Sequence, residues 1–285
     1  MGQRSSKPKS RLLSKPRRIA DETFAQPVVE HASRIQVTSL MTVSELVACL
    51  VKKGCSNITD QLDLAECSEY PISGGGFGDV YRGRLKNGDR VAIKTMRLSV
   101  SSNGVVQNSL KNAARELYTW SKCEHDNIQR LLGLVEFRGQ VGMVSPWQPN
   151  GNLHQYLERY PETDRYEMST QISDGLAYLH RTNIVHGDLK GLNILISKAG
   201  SPLLADFGNS FLRECTLKFT DTSSKHLVSL RWAAPELLGG TAKHNTRTDV
   251  YALGMVSRIG VKQVNWLIHV NKLDNFGASN EKFYV

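Results

Sequence analysis

The run His186-Gly187-Asp188-Leu189-Lys190-Gly191-Leu192-Asn193 is followed a short way on by Ala205-Asp206-Phe207-Gly208. Two carboxylates, an amide and an ammonium in so short a stretch are residue types that phosphoryl transfer demands. That reaction is mostly positioning plus charge neutralisation, so its site needs hard oxygen ligands for Mg²⁺ and a cation close to the moving charge.

Upstream lies a glycine-rich run, Ser73-Gly74-Gly75-Gly76-Phe77-Gly78-Asp79-Val80. Glycines let a hairpin close over a polyphosphate without Cβ clashes and leave N–H groups facing it. Alone, the run reads better as a flexible hairpin turn. It is followed by Val91-Ala92-Ile93-Lys94, a strand ending in lysine, and by a helix bearing Glu116. A buried Lys94 could hold phosphates and would need a carboxylate to keep it charged. Singly, Lys94 also reads as an edge-strand lysine reaching solvent, and Glu116 as part of a solvated helix face. Jointly those bland readings lose ground.

Taken in order, these motifs make the chain resemble the protein-kinase family from about Tyr70 to Met255. The resemblance implies that Asp188 orients the substrate hydroxyl, Lys190 neutralises the γ-phosphoryl, Lys94 and Glu116 form the phosphate-holding pair, and Asn193 and Asp206 hold Mg²⁺. It implies an ATP site made by Ser73, Gly74, Gly75, Gly76, Phe77, Gly78, Val80, Ala92, Lys94 and Leu195. Val144-Ser145-Pro146-Trp147-Gln148 resembles the hinge behind the adenine: Ser145 is the gatekeeper, Pro146 offers only its carbonyl, and Gln148 offers a backbone donor. His186, Phe207 and Trp120 are expected to stack. Ala234-Pro235-Glu236 closes an activation segment opened by Asp206, and Asp249 is expected to anchor the catalytic loop. Lys190 points to Ser/Thr rather than Tyr specificity. Glu116-Leu-Tyr-Thr-Trp and Arg231-Trp232-Ala-Ala-Pro-Glu look like the tyrosine-kinase-like branch of Ser/Thr kinases, and the catalytic-loop wording is similar to kinases of basidiomycete fungi. Ser229 falls where that branch bonds the catalytic Asp and Lys.

Two departures carry expectations. Gly187 replaces the Arg that grips a phosphorylated activation segment, which predicts weak dependence on phosphorylation. After Met255 the resemblance ends, so the helical lobe is expected to be incomplete.

The elements that must position these groups read as an α+β, bilobal protein-kinase-like fold, with a five-stranded antiparallel N-lobe and a helical, incomplete C-lobe. We divide the chain into a basic tail (1–40), a helix and linker (41–66), the kinase domain (67–256, its lobes meeting near 147–148) and a tail unlike kinases (257–285). The helix spans about Thr42–Lys53, with Val43, Leu46, Val47 and Leu50 on one face and Gly54 as its stop.

Composition closes off other classes. The formal charge of +9 suggests nucleic acid, but seven of those charges are Arg4, Lys7, Lys9, Arg11, Lys15, Arg17 and Arg18, within residues 1–20, which hold no acid. No folded basic face is visible, so no nucleic-acid partner is expected. Five cysteines without a Cys-x-x-Cys pair point to a reducing compartment. Met1-Gly2-Gln3-Arg4-Ser5-Ser6 fits the N-myristoylation pattern and the basic run supplies a second anchor; the alternative is an unmodified tail. The expectations are therefore a cytoplasmic protein serine/threonine kinase using ATP and Mg²⁺ on protein hydroxyls, reaching the inner face of a membrane through Gly2. The alternative is a catalytically inactive truncated kinase that binds nucleotide or a partner.

Overall fold

The computed structural model describes residues 2, 36–37, 41–75, 78–96, 106–212, 218–219, 229–239 and 242–258. Most of the basic tail, Cys215, the five activation-segment hydroxyls at Thr216, Thr220, Thr222, Ser223 and Ser224, and 259–285 lie outside the described residues, as do Gly76 and Phe77 at the tip of the glycine-rich hairpin.

Helix α1 (Val43–Lys52) starts where Thr42 and Glu45 form a reciprocal capping box, the Thr42 side chain accepting from Glu45 N and the Glu45 side chain accepting from Thr42 N. Leu46, Val47, Cys49 and Leu50 are buried and Val43 is half-buried, which matches the expected face. Gly54 stops the helix in a left-handed conformation (φ 93°).

The sheet comprises β1 (Leu62–Asp63), β2 (Ser73–Gly75), β3 (Gly78–Leu85), β4 (Arg90–Thr95), β5 (Gly133–Phe137) and β6 (Gln140–Pro146), all antiparallel. Its order is β1-β3-β4-β6-β5, with β2 also pairing β3. The five expected strands are joined by a sixth, β1: Leu62 in the connector is buried and pairs with Leu85. In β4 the alternation sorts function from packing. Val91 and Ile93 are fully buried in a cluster with Ile58, Leu62, Leu85, Val135, Phe137 and Val144, while Ala92 and Lys94 occupy the opposite face. Gly78 is required at the hairpin, since a Cβ there would lie 2.1 Å from Thr95 O.

Helix α2 (Val106–Trp120) packs against α1, β6 and β10 (Phe211–Leu212), and α1 also packs on β5 and β6. The helical region holds α3 (Leu153–Arg159), α4 (Arg165–Arg181), α5 (Pro235–Leu238) and α6 (Thr246–Arg258). Asp164 caps α4 through Tyr166 N and Glu167 N. Between the helices lie β7 (Ile184–Val185), β8 (Ile194–Ile196) and β9 (Pro202–Leu204), with β8 pairing β9 and β7 pairing β10. Among the described residues no helix is long and apolar enough to cross a membrane.

Candidate active site

Lys94 extends from the half-buried face of β4, directly opposite Val80 of β3. Its Nζ meets Glu116 Oε1 of α2 at 2.7 Å and Asp206 Oδ1 at 2.6 Å. Burial alone would drive Lys94 toward neutrality; the carboxylates of Glu116 and Asp206 outweigh it and hold the ammonium above its ordinary range. Burial likewise disfavours the Asp206 carboxylate, but the adjacent Lys94 charge holds its pKa below the usual value. Glu116 goes the other way. It is 1 % exposed and its Oε2 has no hydrogen-bond partner among the described residues, so burial raises its pKa despite Lys94.

Asp206 has a left-handed backbone (φ 64°), a conformation that Asp adopts more readily than most residues. Its Oδ1 also accepts from Gly208 N at 3.4 Å.

A second cluster forms on the loop after β7. Lys190 Nζ donates to Asp188 Oδ2 at 2.7 Å and to Ser229 Oγ at 3.0 Å. Ser229 Oγ donates to Asp188 Oδ1 at 2.8 Å. Asn193 Nδ2 donates to Asp188 O at 2.8 Å and to Asp188 Oδ2 at 3.0 Å. Both donor contacts of Asn193 use nitrogen, which leaves Oδ1 as a hard oxygen. Asp206 Oδ2 likewise makes no hydrogen bond among the described residues. These two oxygens suit Mg²⁺, whose remaining positions phosphate and water would fill.

The clusters are joined through backbone. Ala205 N donates to Asn193 O at 2.9 Å, and His186 Nε2 lies 3.2 Å from Ala205 O. Asp249 of α6, 2 % exposed, fixes the loop from beneath: Oδ2 accepts from His186 N and Oδ1 from Gly187 N, both at 2.9 Å. His180 Nε2 lies 2.9 Å from the same Oδ2. Gly187 is left-handed (φ 77°), and a Cβ there would stand 2.7 Å from Asn209 O. Phe207 stacks on Trp120 at 5.8 Å, as expected, and meets His186 at 5.7 Å with the rings tilted by 40°.

The remaining expected positions are held by strand pairing. Ser73, Gly74 and Gly75 pair with Val80, Asp79 and Gly78. Ala92 pairs with Ser145, which is buried, and Pro146 pairs with Val91 at the end of β6. Leu195 lies in β8 and bridges Asn152.

One residue escaped the sequence reading. Gln129, 1 % exposed, donates through Nε2 to Pro146 O at 2.7 Å, and its Oε1 accepts from Gln148 Nε2 at 2.8 Å. Its backbone N donates to Leu204 O at 2.8 Å and its carbonyl accepts from Trp120 Nε1. It belongs to no motif that the sequence alone could flag.

Comparison with known proteins gives this geometry its context. The family model described as "Protein kinase domain" matches residues 69–274. The chain is 33 % identical over 197 residues to the calmodulin-binding receptor-like cytoplasmic kinase 1 of Arabidopsis thaliana, covering 66 % of this chain and 41 % of the relative. It is 33 % identical over 189 residues to a probable serine/threonine-protein kinase of Dictyostelium discoideum, covering 64 % and 36 %. It is 32 % identical over 230 residues to the PR5-like receptor kinase of Arabidopsis thaliana, covering 75 % and 32 %. The chain thus spans well under half the length of these relatives.

Proposed function

The chain belongs to the protein kinase family, and on that premise we propose that it transfers the γ-phosphoryl group of ATP to serine or threonine hydroxyls of a protein. The observation that carries this reading is the convergence of Glu116 and Asp206 on the Lys94 ammonium, at 2.7 and 2.6 Å, from a helix and a loop far apart in sequence. That arrangement keeps one cation charged and aimed where phosphates would lie.

The contacts support the remaining roles. Asp188 accepts the proton of the incoming hydroxyl, and its carboxylate is aimed by Ser229 and Asn193. Lys190 neutralises charge on the phosphoryl group in flight. Asn193 and Asp206 hold Mg²⁺, which supplies neutralisation of the phosphate oxygens when bound. The glycine-rich hairpin, Val80, Ala92, Leu195 and the hinge at Ser145, Pro146 and Gln148 enclose the nucleotide. The preference for Ser/Thr is supported by Lys190 and by the likeness to the probable serine/threonine-protein kinase of Dictyostelium. We take the kinase domain as 67–256, while the family match itself runs on to residue 274. The tyrosine-kinase-like wording of the motifs supports placement in that branch, and the sequence at Gly2 supports myristoylation and docking on an anionic membrane.

The test is a phosphorylation assay on purified full-length chain with Ser, Thr and Tyr peptides, beside Asp188→Asn. Transfer to Ser or Thr that Asp188→Asn abolishes is expected. Equal signal from both proteins overturns the enzymatic reading, and nucleotide binding without transfer makes the chain a binding module. Metabolic labelling with a myristate analogue tests Gly2 separately; absence of label removes the membrane anchor.

A further inference from the structure

Arg82 and Arg84 stand two apart on β3 and so share one face of the sheet. Pairing with β4 sets Arg90 directly opposite Arg84, and Ala92 opposite Arg82. Like charges directly opposite each other on one face repel and cost stability. The row continues into the hinge, where Trp147 N donates to Arg90 O at 3.0 Å. Here the surface holds a cavity of about 270 Å³, lined by Glu66, Arg82, Gly83, Arg84, Arg90 and Trp147. None of these six is among the residues expected to hold the nucleotide.

The lining sets three guanidinium groups against one carboxylate, an excess of two positive charges. Glu66 meets Arg84 Nε at 3.5 Å, with the two side chains 55 % and 42 % exposed, a contact that contributes little. Asp63, which pairs with Arg84 from β1, turns its Oδ1 to Ala65 N instead. Among the described residues the side chains of Arg82 and Arg90 make no hydrogen bond or ion pair, and the indole N–H of Trp147 makes no hydrogen bond. Arg82 and Arg90 are exposed and Trp147 is half-buried, so a ligand can reach all three. The chain therefore carries a charge repulsion at this cavity that Glu66 offsets only weakly.

We propose that this cavity binds a phosphorylated side chain of a partner protein. A phosphomonoester carries about −1.5 to −2 charges at neutral pH and three acceptor oxygens. These match the excess positive charge of the lining and the forked donors of Arg82 and Arg90. Trp147 adds an aromatic wall for the stem or ring that bears the phosphate. The volume lies just below the range of about 300–1,000 Å³ that drug-sized ligands occupy, so it suits one side chain rather than a nucleotide. A concave site also suits a projecting side chain better than a flat lipid surface. The inference is independent of the phosphoryl-transfer reading, since it uses neither Lys94 nor Asp188.

The test is fluorescence polarisation of the full-length chain, without nucleotide, with labelled degenerate peptide pools. Their fixed central residue is phosphotyrosine, phosphoserine, tyrosine or serine. At least one phosphorylated pool is expected to bind about tenfold or more tighter than its unmodified counterpart. Arg82→Gln and Arg90→Gln together are expected to abolish that preference. Arg17→Gln and Arg18→Gln together, which remove the same charge from the basic tail, are expected to leave it. The comparison of pools uses the unaltered chain, so it decides the matter even if the cavity variant fails to fold. Equal binding of phosphorylated and unmodified pools overturns the inference, as does a preference that the tail variant loses as fully as the cavity variant. Inorganic phosphate that binds as tightly as the phosphorylated pools makes this a small-anion site. Mixed phosphatidylcholine–phosphatidylserine vesicles whose binding falls in the cavity variant but not in the tail variant make it a membrane contact. Either result overturns the assignment to a protein partner.

Discussion

The hydroxyl of Ser229 lies 2.8 Å from Asp188 Oδ1 and accepts from Lys190 Nζ at 3.0 Å, so one small side chain ties the proton acceptor to its neighbouring cation. Ser229→Ala removes both ties without touching the nucleotide side of the site. It is expected to lower kcat by about 10- to 100-fold, the scale of a misplaced reacting group, with little change in KM for ATP. Ser229→Thr retains the hydroxyl and most of the activity. Steady-state kinetics on the three proteins check this.

Asp249 satisfies two buried backbone N–H groups and meets His180. Asp249→Ala orphans both donors at once. An unfolding free-energy loss of about 3 kcal/mol is expected, at about 1–3 kcal/mol for each unsatisfied buried group. Urea denaturation measures it. A loss below about 1 kcal/mol shows that the loop holds its shape without α6.

The Lys94–Asp206 contact sets an acid limit. The folded pKa of Asp206 is depressed, because the Lys94 charge outweighs the burial that opposes it. A depressed carboxylate contributes stability above its unfolded value, about 3.9, and loses it as pH falls through the folded value. The stability gap between the natural chain and Asp206→Asn is therefore expected to stay level from neutral pH to about 5 and to shrink below about 4. Glu116, raised by burial, titrates in the opposite sense: its ionised form becomes a cost as pH climbs from its unfolded value through the raised folded one. A gap that widens on acidification contradicts the assignment for Asp206.

Helix α1 packs on α2, the helix that carries Glu116. Leu46 and Leu50 are fully buried, so Leu50→Ala is expected to cost about 3 kcal/mol. Thr42→Ala, which removes the capping box, costs about 1 kcal/mol. In both variants, amide exchange across residues 111–120 is expected to speed up before that of α4. Uniform acceleration of both helices shows that α1 acts on global stability rather than on α2.

Gly187 sits where a side chain has no room, with φ 77° and Asn209 O 2.7 Å from a Cβ. Gly187→Ala is expected to destabilise the chain by more than about 1 kcal/mol. Because no Arg is present there to grip a phosphate, replacing Thr216, Thr220, Thr222, Ser223 and Ser224 together by Ala is expected to leave most activity. Loss of activity in that five-fold variant shows that a phosphorylated activation segment is gripped by another group.

The sequence by itself determined the inventory and the order. The motifs, through the family resemblance they carry, named Lys94, Glu116, Asp188, Asn193 and Asp206, because a site built on charge neutralisation needs fixed residue types. Which side of β4 is core emerged from the fold, but a strand ending in lysine was legible in Val91-Ala92-Ile93-Lys94, because strand propensity is local. The face and stop of α1 were legible for the same reason. Tertiary structure alone decided which groups touch. Glu116 and Asp206 reach one lysine only because α2 and the loop after β9 fold onto the same face of the sheet. Leu62 became a strand only because Leu85 offered a partner, and Gln129 became a hinge residue only because folding brought its amide to Pro146. Long-range pairing leaves no local pattern: a buried glutamine and a solvated one are spelled alike until the chain closes around one of them.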